Sequence, residues 1–99
     1  MNAVLVRYKT REDKAAENEE LIHAVFDELR GVAPAGVRYA TYKLDDGVSF
    51  VHLATIDTAD GSNPLLALQS FGRFQQDLDQ RCVEAPEPAR LIPVDGYGF

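Results

Sequence analysis

His52 stands in the middle of "GVSFVHLATI", residues 47–56, with apolar neighbours on both sides. An imidazole so placed has two uses. It can bind a phenolic ligand and move a proton near neutral pH. Alternatively it fills a core or interface position, its hydrogen bonds met by a nearby hydroxyl or carbonyl. Tyr39 and Thr41 lie upstream at alternate positions, so they share one face of an extended chain. A tyrosine hydroxyl there would orient a phenol or quinone, or be the wet end of a large core residue. Arg7 is the candidate for charge. Facing inward, it would hold a ligand anion or an oxygen-derived charge. Facing outward, it would pair with one of many carboxylates in water. The reading therefore takes His52 and Arg7 as candidate catalytic residues and Tyr39 and Thr41 as candidate ligand contacts.

Other groups carry weaker chemistry. His23 has Glu19, Glu20 and Asp27 at helical distances but no second histidine one turn away, which reads as a surface residue in an acidic patch and not as a metal site. Cys82 has no histidine or basic pair near it in sequence and reads as packing. "GSN", residues 61–63, precedes a helix start but lacks the lysine of a phosphate loop. No Gly-x-Ser-x-Gly elbow is present. The residues require neither a metal nor a cofactor.

These groups need elements to position them. Residues 3–9, "AVLVRYK", read as a strand. Thr10 and Asp13 have capping-box spacing. Leu21, Ile22, Val25, Phe26, Leu29 and Val32 then form a helical stripe that Gly31 and Pro34 close. Residues 37–45 and 48–56 flank Asp46-Gly47, which predicts a two-residue type I′ hairpin turn. That register sets Thr41 opposite His52, Tyr42 opposite Val51 and Tyr39 opposite Ala54. One face then carries Ala40, Tyr42, Leu44, Val51 and Leu53. The other carries Val37, Tyr39, Thr41, Phe50, His52 and Ile56. Asn63 and Pro64 open a second helix, with a stripe at Ala67, Phe71, Phe74, Leu78 and Cys82 widened by Leu68. "EAPEP" breaks it, and "ARLIPVDGYGF" reads as a last strand with Pro93 at its edge or irregular end.

Strand, helix, strand, strand, helix, strand is the ferredoxin-like α+β plan, βαββαβ with a four-stranded antiparallel sheet. The plan sets the first strand beside the third, which would let Arg7 approach His52. Two helices cover one face of such a sheet. The other face is apolar too, which predicts a homodimer packed through the sheet face. The 99 residues read as a single domain, 1–99. A net charge of −6 argues against a nucleic-acid partner and against anionic membrane. No apolar run approaches the length of a membrane helix. "MNAVLVRYK" lacks the pattern of a secretory signal, and the single Cys82 excludes an internal disulfide. The expected compartment is cytoplasmic.

Element order and length, the "FVHLATI" strand and the second-helix stretch "LALQSFGRFQQDL" resemble the dimeric α/β-barrel superfamily, and within it the antibiotic-biosynthesis-monooxygenase-like domains. The resemblance spans nearly the whole chain. It implies a ligand cavity between sheet and helices, which makes Phe71 and Phe74 candidate ligand contacts, and a homodimer. It implies a cofactor-independent monooxygenase-like activity on a small aromatic or quinol-type substrate. The alternatives on the same scaffold are a non-catalytic binding or interaction module, or an isomerase or lyase. Relatives often carry Glu and Trp near the end of the third strand, where this chain has Ala54 and Ile56. They often carry histidine around "QSFGRF", where Leu68 and Arg73 stand. The lack of any tryptophan speaks against the haem-degrading branch. A pocket in which His52, Arg7 and Tyr39 converge would favour an enzyme. A filled core with those groups satisfied by protein would favour a module.

Overall fold

A computed structural model describes residues 2–98. Strand β1, Asn2–Thr10, is followed by a 3-10 turn, Glu12–Lys14, and helix α1, Ala15–Val32. Strands β2, Val37–Lys43, and β3, Ser49–Ile56, form the hairpin. A 3-10 turn, Pro64–Ala67, leads to helices α2, Gln69–Gln75, and α3, Leu78–Arg81, and then to strand β4, Cys82–Leu91. The strands lie in the order β2-β3-β1-β4, and every neighbouring pair is antiparallel. This is the ferredoxin-like α+β sheet.

Alternation along the strands sorts the side chains as the sequence predicts. Thr41 pairs with His52, Tyr42 with Val51 and Tyr39 with Ala54. The face bearing Phe50, His52, Ala54 and Ile56 packs on Ile22 and Val25 of α1 and on Leu65, Leu68 and Phe74. β1 adds Tyr8, Val4 and Val6 to that face. Helix α1 ends at Val32, and its C-cap Ala33 takes a left-handed φ of 46° while its N–H bonds to the Leu29 carbonyl. Gly31 is thus inside the helix and not its terminator.

Four local expectations are corrected. The hairpin turn is a four-residue loop and not a type I′ pair. Leu44 N–H donates to the Ser49 carbonyl at 2.8 Å, and only Gly47 of the loop has positive φ, +78°. Asp46 instead acts through its side chain, accepting from the Val48 and Ser49 amides and the Ser49 hydroxyl. The capping box does not form. Thr10 belongs to β1, and its hydroxyl donates to the Val48 carbonyl, so sheet pairing claims it. The second helix is broken into three pieces. Asp77 takes a left-handed φ of 60° between α2 and α3, Ala67 is exposed, and Cys82 opens β4 opposite Thr10 instead of closing a helical stripe.

The fourth correction concerns the last strand, which begins earlier than its apolar residues suggest. Pro86 and Pro88 lie within β4, at the sheet edge, where a missing N–H costs no ladder partner on the open side. Beyond Leu91 the chain leaves the sheet, and Ile92, Val94 and Tyr97 are exposed. Phe99, the end of the expected strand, lies outside the described residues. Among the described residues, no helix is long and apolar enough to cross a membrane.

Candidate functional site

His52 is 6 % exposed and engaged at both ring nitrogens. Its Nε2 lies 2.8 Å from the Tyr8 hydroxyl, because β1 pairs with β3 and sets Tyr8 on the same face. Its Nδ1 lies 2.6 Å from the Tyr39 hydroxyl and 3.1 Å from Thr41 Oγ1, both supplied by β2. Burial lowers its pKa from 6.5 to about 4, so the ring is neutral at pH 7. Burial also pushes the Tyr39 phenol up to about 12, with a hydrogen bond from Thr41 partly opposing it. The Tyr8 phenol is raised further, again by burial. Both tyrosines are therefore protonated and neutral at physiological pH.

The network continues beyond the residues that sequence patterning singled out. Asn18 Nδ2 donates to the Tyr8 hydroxyl at 2.9 Å. Arg81 Nε donates to Asn18 Oδ1 at 3.1 Å. The remaining Arg81 nitrogens donate to the carbonyls of Gln76 and Phe74 at 2.9 and 2.6 Å, which ties the end of α2. Asn18 is fully buried and Arg81 is 4 % exposed. Asn18 had a readable signal: it continues the apolar stripe through Ile22 and Val25, one turn before Ile22, and a polar residue on a buried stripe needs a partner. Arg81 had none, since the break at Asp77 decides where it points.

A cavity of about 300 Å³ adjoins this network, between the sheet and α2. Tyr8, Tyr39, His52, Phe71 and Phe74 contribute to its wall. Tyr39 meets Phe71 edge-on with centroids 6.4 Å apart, and His52 lies 5.3 Å from Phe74. Among the described residues, no charged side chain lines this cavity. Asn63 is also in the wall; its Oδ1 accepts from the Leu65 amide, as expected for a helix-capping residue.

The structure thus brings together His52, Tyr39, Thr41, Phe71 and Phe74. It does not bring Arg7. Arg7 pairs with Val51 in β3 and Glu87 in β4, and points to the opposite, exposed face of the sheet. β1 does lie beside β3, but Val6 and not Arg7 is the residue opposite His52, and a one-residue offset reverses the face. His23 is exposed, and among the described residues no group of three His, Cys, Asp or Glu is placed to hold a metal ion.

Comparison with solved structures gives a consistent outcome. Rv0793 from Mycobacterium tuberculosis superposes with a TM-score of 0.76 at 20% identity, covering 96% of each chain. The chain has the fold shared by solved structures named antibiotic biosynthesis monooxygenases. A structure described as an antibiotic biosynthesis monooxygenase matches with a TM-score of 0.76 at 14% identity, covering 96% of this chain and all of that one. A mutant of SnoaB, a cofactor-independent oxygenase from Streptomyces nogalater, matches with a TM-score of 0.69 at 16% identity, covering 99% and 97%. Neither a scan against models of protein families nor a search of curated proteins returned a match. Those folds share this element order, and the cavity described above lies between sheet and helices, where the resemblance implies one.

Proposed function

We propose that the cavity binds a small aromatic molecule bearing a ring oxygen, taken up as the phenolate after its proton is lost to water, and that the chain is a cofactor-independent monooxygenase of the kind its structural neighbours are named for. One observation carries this reading: an aromatic-walled cavity with no charged lining ends on the Tyr39–His52 pair. Phe71 and Phe74 hold the ring, and Tyr39 meets its oxygen. An electron-rich phenolate passes an electron to dioxygen, and the superoxide formed combines with the ring radical. The new C–O bond forms at a ring carbon that keeps its hydrogen; the peroxide takes a proton from water, and H–C–O–OH loses water to give C=O, so one oxygen atom enters the ring and the other leaves as water. The substrate supplies the electrons, so the chemistry asks the protein for positioning and for stabilisation of the substrate oxyanion. His52 is neutral with both nitrogens occupied, so it supports Tyr39 instead of acting alone as a base.

Oxygen uptake with a panel of naphthols and quinols tests this. Tyr39→Phe should lower kcat/KM about 100-fold, the scale of losing one oxyanion donor. An unchanged rate would remove Tyr39 from the mechanism. A second reading, a non-catalytic binding module, is favoured by one fact: among the described residues, no buried side-chain polar atom lacks a partner. Ligand binding without oxygen consumption across the panel would select it.

A second copy of the chain covering the outer sheet face completes the proposal. Ala3, Leu5, Ala40, Val51 and Leu53 make that face apolar, and Tyr42 upon it is 57% exposed.

A further inference from the structure

Arg81 is a buried cation that makes no hydrogen bond to His52 and lies against Phe74 of the cavity wall, and the hydrogen bonds that start from it reach His52 and Tyr39. A guanidinium only donates. Its Nε–H therefore fixes the carbonyl end of Asn18 toward itself and leaves Nδ2 to face Tyr8. The Tyr8 oxygen accepts that amide hydrogen. Its own hydrogen then has one acceptor in reach, His52 Nε2. With Nε2 occupied as an acceptor, the ring proton of neutral His52 resides on Nδ1, and it is donated to the Tyr39 oxygen 2.6 Å away. Reversing any link would turn the Asn18 amide N–H groups against the guanidinium or leave the Tyr8 hydrogen without an acceptor.

We infer that Arg81 is a positioning residue which orders this chain of hydrogen bonds in one direction, so that Tyr39 presents its hydroxyl hydrogen to the cavity and the site selects ligands with an acceptor oxygen, a carbonyl or a phenolate. This rests on the reading of the cavity as a ligand site, and it names the ligand chemistry that site takes. A ligand with an acceptor oxygen takes the Tyr39 hydrogen, because the Tyr39 oxygen itself already receives the His52 proton. The direction of the relay is set by a residue more than sixty positions from Asn18 in sequence, and it needs no charge in the cavity itself.

The ring protonation of His52 is measurable without ligand or dioxygen. Two-bond proton–nitrogen correlation on the uniformly 15N-labelled full chain at pH 7 should show Nδ1 protonated and Nε2 bare. A proton on Nε2 would overturn the inference. Asn18→Asp keeps the shape and the Arg81 contact but offers Tyr8 an acceptor; the proton should then move to Nε2. An Asn18→Asp protein that folds with the proton still on Nδ1 would also overturn it, and if this variant does not fold the wild-type spectrum decides. For ligand selection, 1-tetralone should bind about tenfold more tightly than tetralin, which differs by the carbonyl alone. Tyr39→Phe should abolish that difference, and equal affinities in the wild-type chain would refute acceptor selection. Failure of the oxygenase reading would show separately, as ordered protonation and 1-tetralone binding with no oxygen uptake from any phenol.

Discussion

A buried neutral histidine has a pH signature. The folded pKa of His52 is about 4 against 6.5 for the ordinary group. Between these values the unfolded chain binds a proton that the folded chain excludes, so stability rises with pH through this window. The contribution is fully present above about 6.5 and is lost as the pH falls to about 4, where it amounts to about 3 kcal/mol. Urea unfolding at pH 7 and pH 4.5 should show that loss, and His52→Asn should flatten the slope. Asp46, lowered to about 2 by hydrogen bonds from Ser49 and Val48, acts in a different range, with its stabilisation lost only below the usual aspartate value. The two titrations are therefore separable. The same burial that makes His52 a poor base makes it a good fixed dipole. His52 is thus the packed core histidine of the second sequence reading, and its part in the site is the support of Tyr39 proposed above.

At the scale of elements, the hairpin and its ends decide where the site residues point. Gly36 precedes β2 at φ +80°, and a Cβ there would collide with the Asp57 carbonyl, whose own amide donates to Gly36. Gly47 has a similar φ of +78° but open space around it. Gly47→Ala should cost about 1 kcal/mol from backbone strain alone. Gly36→Ala should cost clearly more, because β2 and β3 must separate at their ends, and thermal unfolding of the two variants side by side would show the order. Equal losses would mean that the close approach at Gly36 is relieved at no cost. The register of this hairpin was legible in sequence because alternation and the Asp-Gly signal agree. The turn type was not, since Asp46 meets its neighbours through its carboxylate. The second helix was legible as an amphipathic stretch. Its break at Asp77 was not, because it is tied by Arg81, which bonds the Phe74 and Gln76 carbonyls and also Asn18, sixty-three positions away on α1.

For the whole molecule, the question is what covers the outer sheet face. Helices occupy the His52 side, which leaves Leu5, Val51 and Leu53 half-buried and the segment after Leu91 exposed with Ile92 and Val94 upon it. Apolar side chains left on an open sheet face are the kind of surface that a second copy would cover. Sedimentation equilibrium should return twice the chain mass at micromolar concentration, and Leu53→Glu should return the single mass with the fold retained by circular dichroism. A wild-type chain that sediments singly would refute the sheet-to-sheet pairing. Arg7 lies on this outer face and not in the cavity, so its replacement should leave ligand binding unchanged while altering only the surface.

Sequence alone determined the quantities that depend on near neighbours. Alternation fixed which residues share a strand face, helical spacing fixed the α1 stripe from Leu21 to Leu29 but not the exposed Val32 or the buried Asn18, and element order fixed the ferredoxin-like sheet. Those are local periodicities, written in the chain whatever lies beyond it. Tertiary structure decided which of two apolar faces met the helices, and so sent His52 inward and Arg7 outward. It also assembled Arg81, Asn18, Tyr8, His52 and Tyr39 from both ends and the middle of the chain. Their order follows from the need of each buried polar group for a partner, and that need is met only when distant segments pack together.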